Sequence, residues 1–180
     1  PAADPFAAHV PAPTERLAAL YRTMARIRAF EDAAEIASQG GVQAWGVQAS
    51  AKPAQVRGPL HLSTGQEAVA AGVCANLTRA DLLTSTHRGH GHTLAKGADV
   101  DRMMAELFGK AAGTNQGKGG SMNICDLELN MLGANGIVGG GVPIAVGAGF
   151  ANRYRGNDTV SVAFFGDGTT NIGAFHEAAN

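Results

Sequence analysis

Val160-Ser161-Val162-Ala163-Phe164-Phe165-Gly166-Asp167-Gly168-Thr169-Thr170-Asn171 decides how this chain is read. The apolar run from Val160 to Phe165 reads as a buried strand, and it closes on a carboxylate held between two glycines. Glycines at a strand-to-helix turn admit positive φ and let the backbone approach a phosphate closely, while the next helix aims free N–H groups at the same place. A bare Asp167 there would repel the anion. A hard divalent ion between them, with the carboxylate as one oxygen ligand and phosphate oxygens as others, turns the repulsion into a bridge. The stretch is read as a magnesium and diphosphate site with Asp167 as metal ligand. A dinucleotide-binding turn would need a third glycine where Asn171 stands and has no use for an acid between the first two. A tight turn with a solvated aspartate remains the plain alternative.

Outside that stretch, 180 residues, 45% of them hydrophobic, with net charge −1 suit one ordinary globular domain. The charge balance argues against a nucleic-acid groove, and no apolar run approaches the roughly 20 residues of a membrane-spanning helix. No basic-then-apolar export signal stands at Pro1, so a cytoplasmic chain is the expectation. Cys74 and Cys125 each lack a neighbouring cysteine, which speaks against a disulfide framework or a cysteine-rich zinc module. The 25 glycines are clustered rather than repetitive and mark close backbone approach. Ala174 to Asn180 starts a helix without glycine, proline or a polar tail to end it, the pattern expected of the first part of a longer polypeptide.

Residues 1–13, rich in alanine and proline, are expected to be an extended lead, and residues 14–180 the N-terminal part of one domain. Thr14 is expected to cap a helix in which Leu17, Leu20, Met24, Ile27 and Phe30 recur at helical spacing up to Gly40-Gly41. Val42 to Pro59 has no period and reads as a long surface loop. Thr64-Gly65-Gln66-Glu67 fits a capping box opening a helix through Val69 to Leu77. Leu82 to Thr86 reads as a buried strand ending in His87-Arg88-Gly89-His90-Gly91-His92, and Asp99 caps a short helix carrying Met103, Met104, Leu107 and Phe108. Gly113 to Ser121 and Gly133 to Gly139 are glycine-rich turns, and Pro143 suits the first position of a helix to about Arg155. Strands separated by helices predict an α/β architecture, a mostly parallel sheet whose ligand sits beyond the strands' carboxyl ends.

Several candidate sites compete with the aspartate turn. Gly113-Thr114-Asn115-Gln116-Gly117-Lys118-Gly119 fails as a nucleoside-triphosphate loop: a residue is missing between the glycines, and a helix precedes it. It reads as a flexible loop, with Lys118 and its N–H groups available to line an anion site. His87, His90 and His92 invite a zinc reading, but glycines separate them and neither acid nor cysteine lies close by. Arg88 as a permanently charged phosphate donor, with His87 adding a hydrogen bond, competes with a surface ion pair and a solvated imidazole. His61, alone before a helix, suits a structural hydrogen bond as well as a catalytic one. In the helix after Pro143, Gly147 and Gly149 each lower helix propensity by about 0.8–1.0 kcal/mol relative to alanine. Close packing is the expected compensation, either against a second helix at a subunit interface or onto the chain's own sheet.

Taken in order, His61-Leu62-Ser63-Thr64-Gly65-Gln66-Glu67-Ala68, Thr86-His87-Arg88-Gly89-His90-Gly91, Gly117-Lys118-Gly119-Gly120-Ser121-Met122, Asn135-Gly136-Ile137-Val138-Gly139 and Gly166-Asp167-Gly168 form one extended pattern. Over Leu20 to Asn180 the chain resembles the alpha subunit of the thiamin-diphosphate-dependent first component of the 2-oxo acid and acetoin dehydrogenase complexes. The resemblance implies that Asp167 is a magnesium ligand, that Gly168 and Thr169 neighbour the diphosphate, and that His87 and Arg88 are its side-chain donors. It implies backbone contacts from Gly136 and Val138 to the aminopyrimidine ring, and it matches His61 to a histidine near the substrate. The family's thiamin motif continues beyond Gly-Asp-Gly to an asparagine that completes the metal shell, and Asn180 is not that residue.

The implied protein binds thiamin diphosphate and magnesium and joins a beta subunit as an α2β2 assembly. It is expected to cleave a carbon–carbon bond next to a carbonyl and pass the acyl unit to a lipoyl-bearing acyltransferase. The stretches Thr86 to His92 and Met131 to Gly136 look closest to acetoin dehydrogenases, with pyruvate and branched-chain 2-oxo acids open. A non-catalytic assembly partner of the same fold, and a zinc protein built on His87 to His92, are the readings from other classes.

Overall fold

A computed structural model describes residues 13–39, 54–56 and 58–180. The lead expected to be extended before Pro13 and most of the stretch expected to be a loop, Val42 to Pro59, lie outside the described residues. Helix α1 spans Thr14–Ser38, with Ile27, Phe30, Glu31 and Ala34 buried along one face. Thr14 is its first residue rather than its cap. Pro13 already has the extended conformation of a cap, and its carbonyl accepts the N–H groups of Arg16 and Leu17. Helix α2 spans Glu67–Cys74, starting later and ending earlier than the capping box suggested. Glu67 bonds back to the Gly65 N–H at 3.1 Å but also takes Arg28 Nε at 2.6 Å, and Thr64 caps nothing.

Three short strands, β1 (Leu82–Ser85), β2 (Met131–Ala134) and β3 (Ser161–Ala163), form a parallel sheet in the order β2-β1-β3. The sequence pattern had hidden β2 inside a turn-rich segment. Its register against β1 slips after the Leu83–Met131 pair, and Gly133, with φ +145, absorbs the irregularity. Asp81 sets the other register: its carboxylate accepts Val160 N at 2.9 Å and Thr78 N at 2.6 Å, tying the starts of β3 and β1. These two N–H groups hold its carboxyl below the ordinary range. The expected buried strand at Val160 to Phe165 is shorter and only half-buried, because β3 is the outer strand here, with β1 on one side only.

Neighbouring side chains on a strand point to opposite faces. Thr84 Oγ1 donates to the Gly141 carbonyl of α5 (Gly141–Arg155) at 3.0 Å, whereas Ser85 Oγ bonds His92 of α3 (His90–Ala95) at 2.6 Å. Helices therefore cover both faces of β1, which is the α/β architecture expected. α4 (Val100–Leu107) is capped by Asp99, whose Oδ1 accepts Arg102 N at 2.9 Å. α5 starts two residues before Pro143, which falls within the first turn, where a missing N–H costs nothing. α6 (Gly173–Ala179) follows a 3₁₀ turn over Asp167–Asn171. The core gathers Ile27, Phe30, Leu83, Leu94, Met103, Ile124 and Met131.

Helix α3 runs through the glycine-spaced histidines, with Gly89 before it and Gly91 inside it. Packing, not turn freedom, requires those glycines: a Cβ on Gly89 would sit 2.6 Å from Ala134 Cβ, and one on Gly91 would sit 2.9 Å from Ser63 Oγ. Gly113 to Ser121 is not a free loop either. The fully buried Glu106 of α4 accepts the N–H groups of Asn115 and Gly117 on Oε2, at 2.8 Å each, and of Gly119 and Gly120 on Oε1, at 2.8 and 3.2 Å. Those N–H groups are taken by the chain's own carboxylate and are not available to an external anion. Lys118 bonds Gln116. Gly149 answers the question left by the α5 glycines: its Cβ position lies 3.7 Å from Ser161 Cβ, against the chain's own sheet, while a Cβ at Gly147 would meet nothing within 4 Å.

Candidate active site

The segments leaving the carboxyl ends of all three strands line one cavity of about 530 Å³. Ser85 ends β1 and Thr86 to Arg88 follow it, Asn135, Ile137 and Val138 follow β2, and Phe164 to Thr169 follow β3. The chain passes from β1 to β2 on one side and then to β3 on the other, so the cavity opens where the strand order reverses, the usual ligand crevice of an open α/β sheet. Gln66 and Val69, at the start of α2, complete one wall.

Of the residues singled out in the sequence, His87, Arg88, Val138, Asp167, Gly168 and Thr169 meet in this cavity. Asp167 is exposed, on a surface that faces the cavity, and among the described residues its carboxylate has no ion-pair partner. Cβ atoms placed on Gly166 and Gly168 would meet nothing within 4 Å, so the backbone on either side of the carboxylate is open. Thr169 is buried, and Thr170 Oγ1 donates to the Asp167 carbonyl at 2.7 Å, which steadies the 3₁₀ turn. The first N–H groups of that turn have no intrahelical acceptor by geometry.

Arg88 donates one guanidinium N–H to the Leu62 carbonyl, leaving most of its five donors for a ligand. Burial, with His61 and Arg88 beside it, pushes the His87 pKa down, so this ring offers a hydrogen bond rather than a charge at neutral pH. Two expected residues lie off the wall. Gly136 sits between the lining residues Asn135 and Ile137, with its N–H 3.5 Å from Asn123 Oδ1. His61 stands one ring back, edge-on to His87 with centroids 5.2 Å apart, and its buried Nδ1 has no partner among the described residues.

His90 and His92 do not join His87 in a metal cluster. His90 bonds Glu31 and Ser121, and His92 bonds Ser85 and stacks on Phe164 at 3.7 Å. No group of three potential ligands is found among the described residues, so the zinc reading loses its geometric basis. His92, which the sequence offered only as a zinc ligand, and Phe164, which it offered only as a strand residue, both line the cavity. Glu31 also escaped notice, although its place at i+4 from Ile27 and beside Phe30 on the apolar stripe was a signal for a buried carboxylate.

Residues 44–180 match the family described as Dehydrogenase E1 component. The chain belongs to that family. It is 52% identical over 162 residues to the alpha subunit of acetoin:2,6-dichlorophenolindophenol oxidoreductase of Bacillus subtilis, covering 89% of this chain and 44% of the relative. The Cupriavidus necator protein of the same name is 42% identical over 173 residues, covering 96% and 48%. The alpha subunit of the pyruvate dehydrogenase E1 component of Rhizobium meliloti is 42% identical over 160 residues, covering 89% and 42%. The chain thus spans a little under half the length of these relatives. Among the described residues of this E1-component chain, no helix is long and apolar enough to cross a membrane.

Proposed function

We propose that this chain is the part of a dehydrogenase alpha subunit that grips thiamin diphosphate through magnesium, with acetoin as the favoured substrate. One observation carries the reading: Asp167, a carboxylate with no ion-pair partner among the described residues, shares a cavity with Arg88 and His87 at the carboxyl ends of parallel strands. The donor set fits a diphosphate bridged by a cation. The cavity volume lies within the range of about 300–1,000 Å³ common for small-molecule sites. When bound, thiamin diphosphate supplies the electron sink that stabilises a carbanion next to a carbonyl.

The protein's own part is positioning. Asp167 would hold the magnesium and Arg88 and the Gly168 N–H would hold the diphosphate, while Thr169, whose own N–H donates to the Gly166 carbonyl at 3.0 Å, would border it. His87 donates a neutral hydrogen bond. Gly136 and Val138 would border the aminopyrimidine, and His61 would stand on the substrate side. The acetoin assignment follows the relatives' names, two of which are acetoin oxidoreductase subunits. A beta subunit in an α2β2 assembly and a lipoyl-bearing acyltransferase as acceptor complete the proposal.

Calorimetry on the full-length alpha subunit assembled with its beta partner tests the cofactor site. Thiamin diphosphate should release heat only with magnesium present, and Asp167→Ala should abolish that heat; equal binding by the variant would refute the site. Dye reduction by the same assembly, offered acetoin, pyruvate and branched-chain 2-oxo acids in parallel, tests the substrate. If acetoin gives the poorest turnover, the substrate assignment fails.

A further inference from the structure

Behind the cavity a fully enclosed hydrogen-bonded chain links four segments that are distant in sequence. Glu31 of α1 and His90 of α3 are both completely buried, and Ser121, ending the glycine-rich passage, is nearly so. Glu31 Oε2 lies 2.8 Å from His90 Nδ1, and His90 Nε2 lies 2.9 Å from Ser121 Oγ. Ser121 Oγ in turn accepts the backbone N–H of His61 at 2.9 Å. The other carboxylate oxygen, Glu31 Oε1, accepts both the N–H and the hydroxyl of Ser63, at 3.1 and 2.6 Å, and Ser63 Oγ accepts Gly91 N–H at 3.1 Å.

Only one arrangement of protons satisfies every member. The carboxylate accepts from Nδ1–H of His90, which leaves Nε2 bare to accept the Ser121 hydroxyl proton and leaves the Ser121 oxygen free for His61 N–H. Serine, histidine and carboxylate in this order resemble a nucleophile's activating triad, but enclosure denies Ser121 a substrate. The chain's outlet is the backbone of His61, two residues before Ser63, which the same carboxylate holds. We propose that Glu31, His90 and Ser121 are positioning residues that fix the His61 backbone and so hold its imidazole edge-on against His87 at the cavity. This inference deepens the proposed function and rests on the reading of His61 as a substrate-side residue.

Glu31→Gln tests it with almost no change of volume. The Ser63 N–H requires an acceptor at the position of Oε1, so the new amide NH₂ must face His90 Nδ1. His90 then carries its proton on Nε2, the direction of the chain reverses, and the Ser121 hydroxyl loses its acceptor. The assembled enzyme, carrying ¹⁵N-labelled histidine, should show His90 as the Nδ1–H tautomer in the parent and Nε2–H in Glu31→Gln. In dye reduction with acetoin, kcat should fall about tenfold or more while KM stays within about twofold, since a displaced reacting group costs rate rather than uniform binding.

A parent enzyme with the proton on Nε2 of His90, or a variant with switched tautomer and undiminished kcat, would overturn the proposal. Should Glu31→Gln not assemble, Ser121→Ala and Ser121→Thr take its place. Alanine should lower kcat at unchanged KM and threonine, keeping the hydroxyl, should restore it; equal rates in all three enzymes would refute the positioning role. Cofactor heat separates the two readings. Its absence in the parent defeats the cofactor assignment, while the tautomer still reports on the buried chain.

Discussion

His92 shows how far one buried side chain can couple the cavity to pH. Its ring stacks on Phe164 and bonds Ser85, and burial pushes its pKa from the ordinary 6.5 down to about 4. Between those values the unfolded chain binds a proton that the folded chain refuses, so stability rises with pH across the window. The stability is fully present above about pH 6.5 and is lost as pH falls toward 4, by about 3 kcal/mol at the lower end. His92→Phe keeps an aromatic ring against Phe164 and removes the titration. Urea midpoints followed through this window should fall less steeply with acid than in the parent. An unchanged acid slope would show that other groups set it. The place of Asp167 beyond a strand's carboxyl end was legible from the apolar run before it and its two glycines, whereas the partners of Glu31, Asp81 and His92 were not, because they are remote in sequence.

At the scale of elements, the clearest case is the passage from Gly113 to Ser121, whose composition predicts freedom and whose structure shows constraint. Four N–H groups converge on Glu106, which sits between Met103 and Leu107 on the buried side of α4. Burial alone would raise the carboxyl's pKa, but the N–H groups of Gly117, Asn115, Gly119 and Gly120 outweigh it and hold the pKa below the ordinary value. Glu106→Gln offers one acceptor oxygen and turns an NH₂ group toward two of the donors. The expected loss is about 3 kcal/mol of stability, with faster amide exchange at the loop glycines. Exchange rates equal to the parent's would show that the loop holds its shape without the carboxylate. The α4 cap at Asp99 and the extent of α1 were readable because both signals are local. The α2 start was not, since Arg28, 39 residues away, draws Glu67 out of its capping role.

For the whole molecule, α5 has two different faces. One packs on β1, β3 and α6, while Ile144, Val146, Phe150 and Tyr154 point outward, Phe150 being 71% and Tyr154 84% exposed with their rings stacked. An exposed apolar surface of that kind marks an interaction site, and under the proposed function it would receive another subunit. Phe150→Asp should leave the chain folded, because the side chain packs little within it, but should lower the sedimentation mass of the assembly. An unchanged mass would place the contact elsewhere. Sequence by itself determined the alternation of strands and helices, the aspartate between glycines and the pattern shared with E1 components, because each depends on local periodicity or on a short contiguous motif. Tertiary structure alone decided that His87 and His92 but not His90 reach the cavity, that the glycine loop is filled by Glu106, and that Glu31, His90, Ser121 and His61 share one hydrogen-bonded chain. Buried polar groups must find partners wherever folding brings them, and no spacing along the chain records which partner arrives.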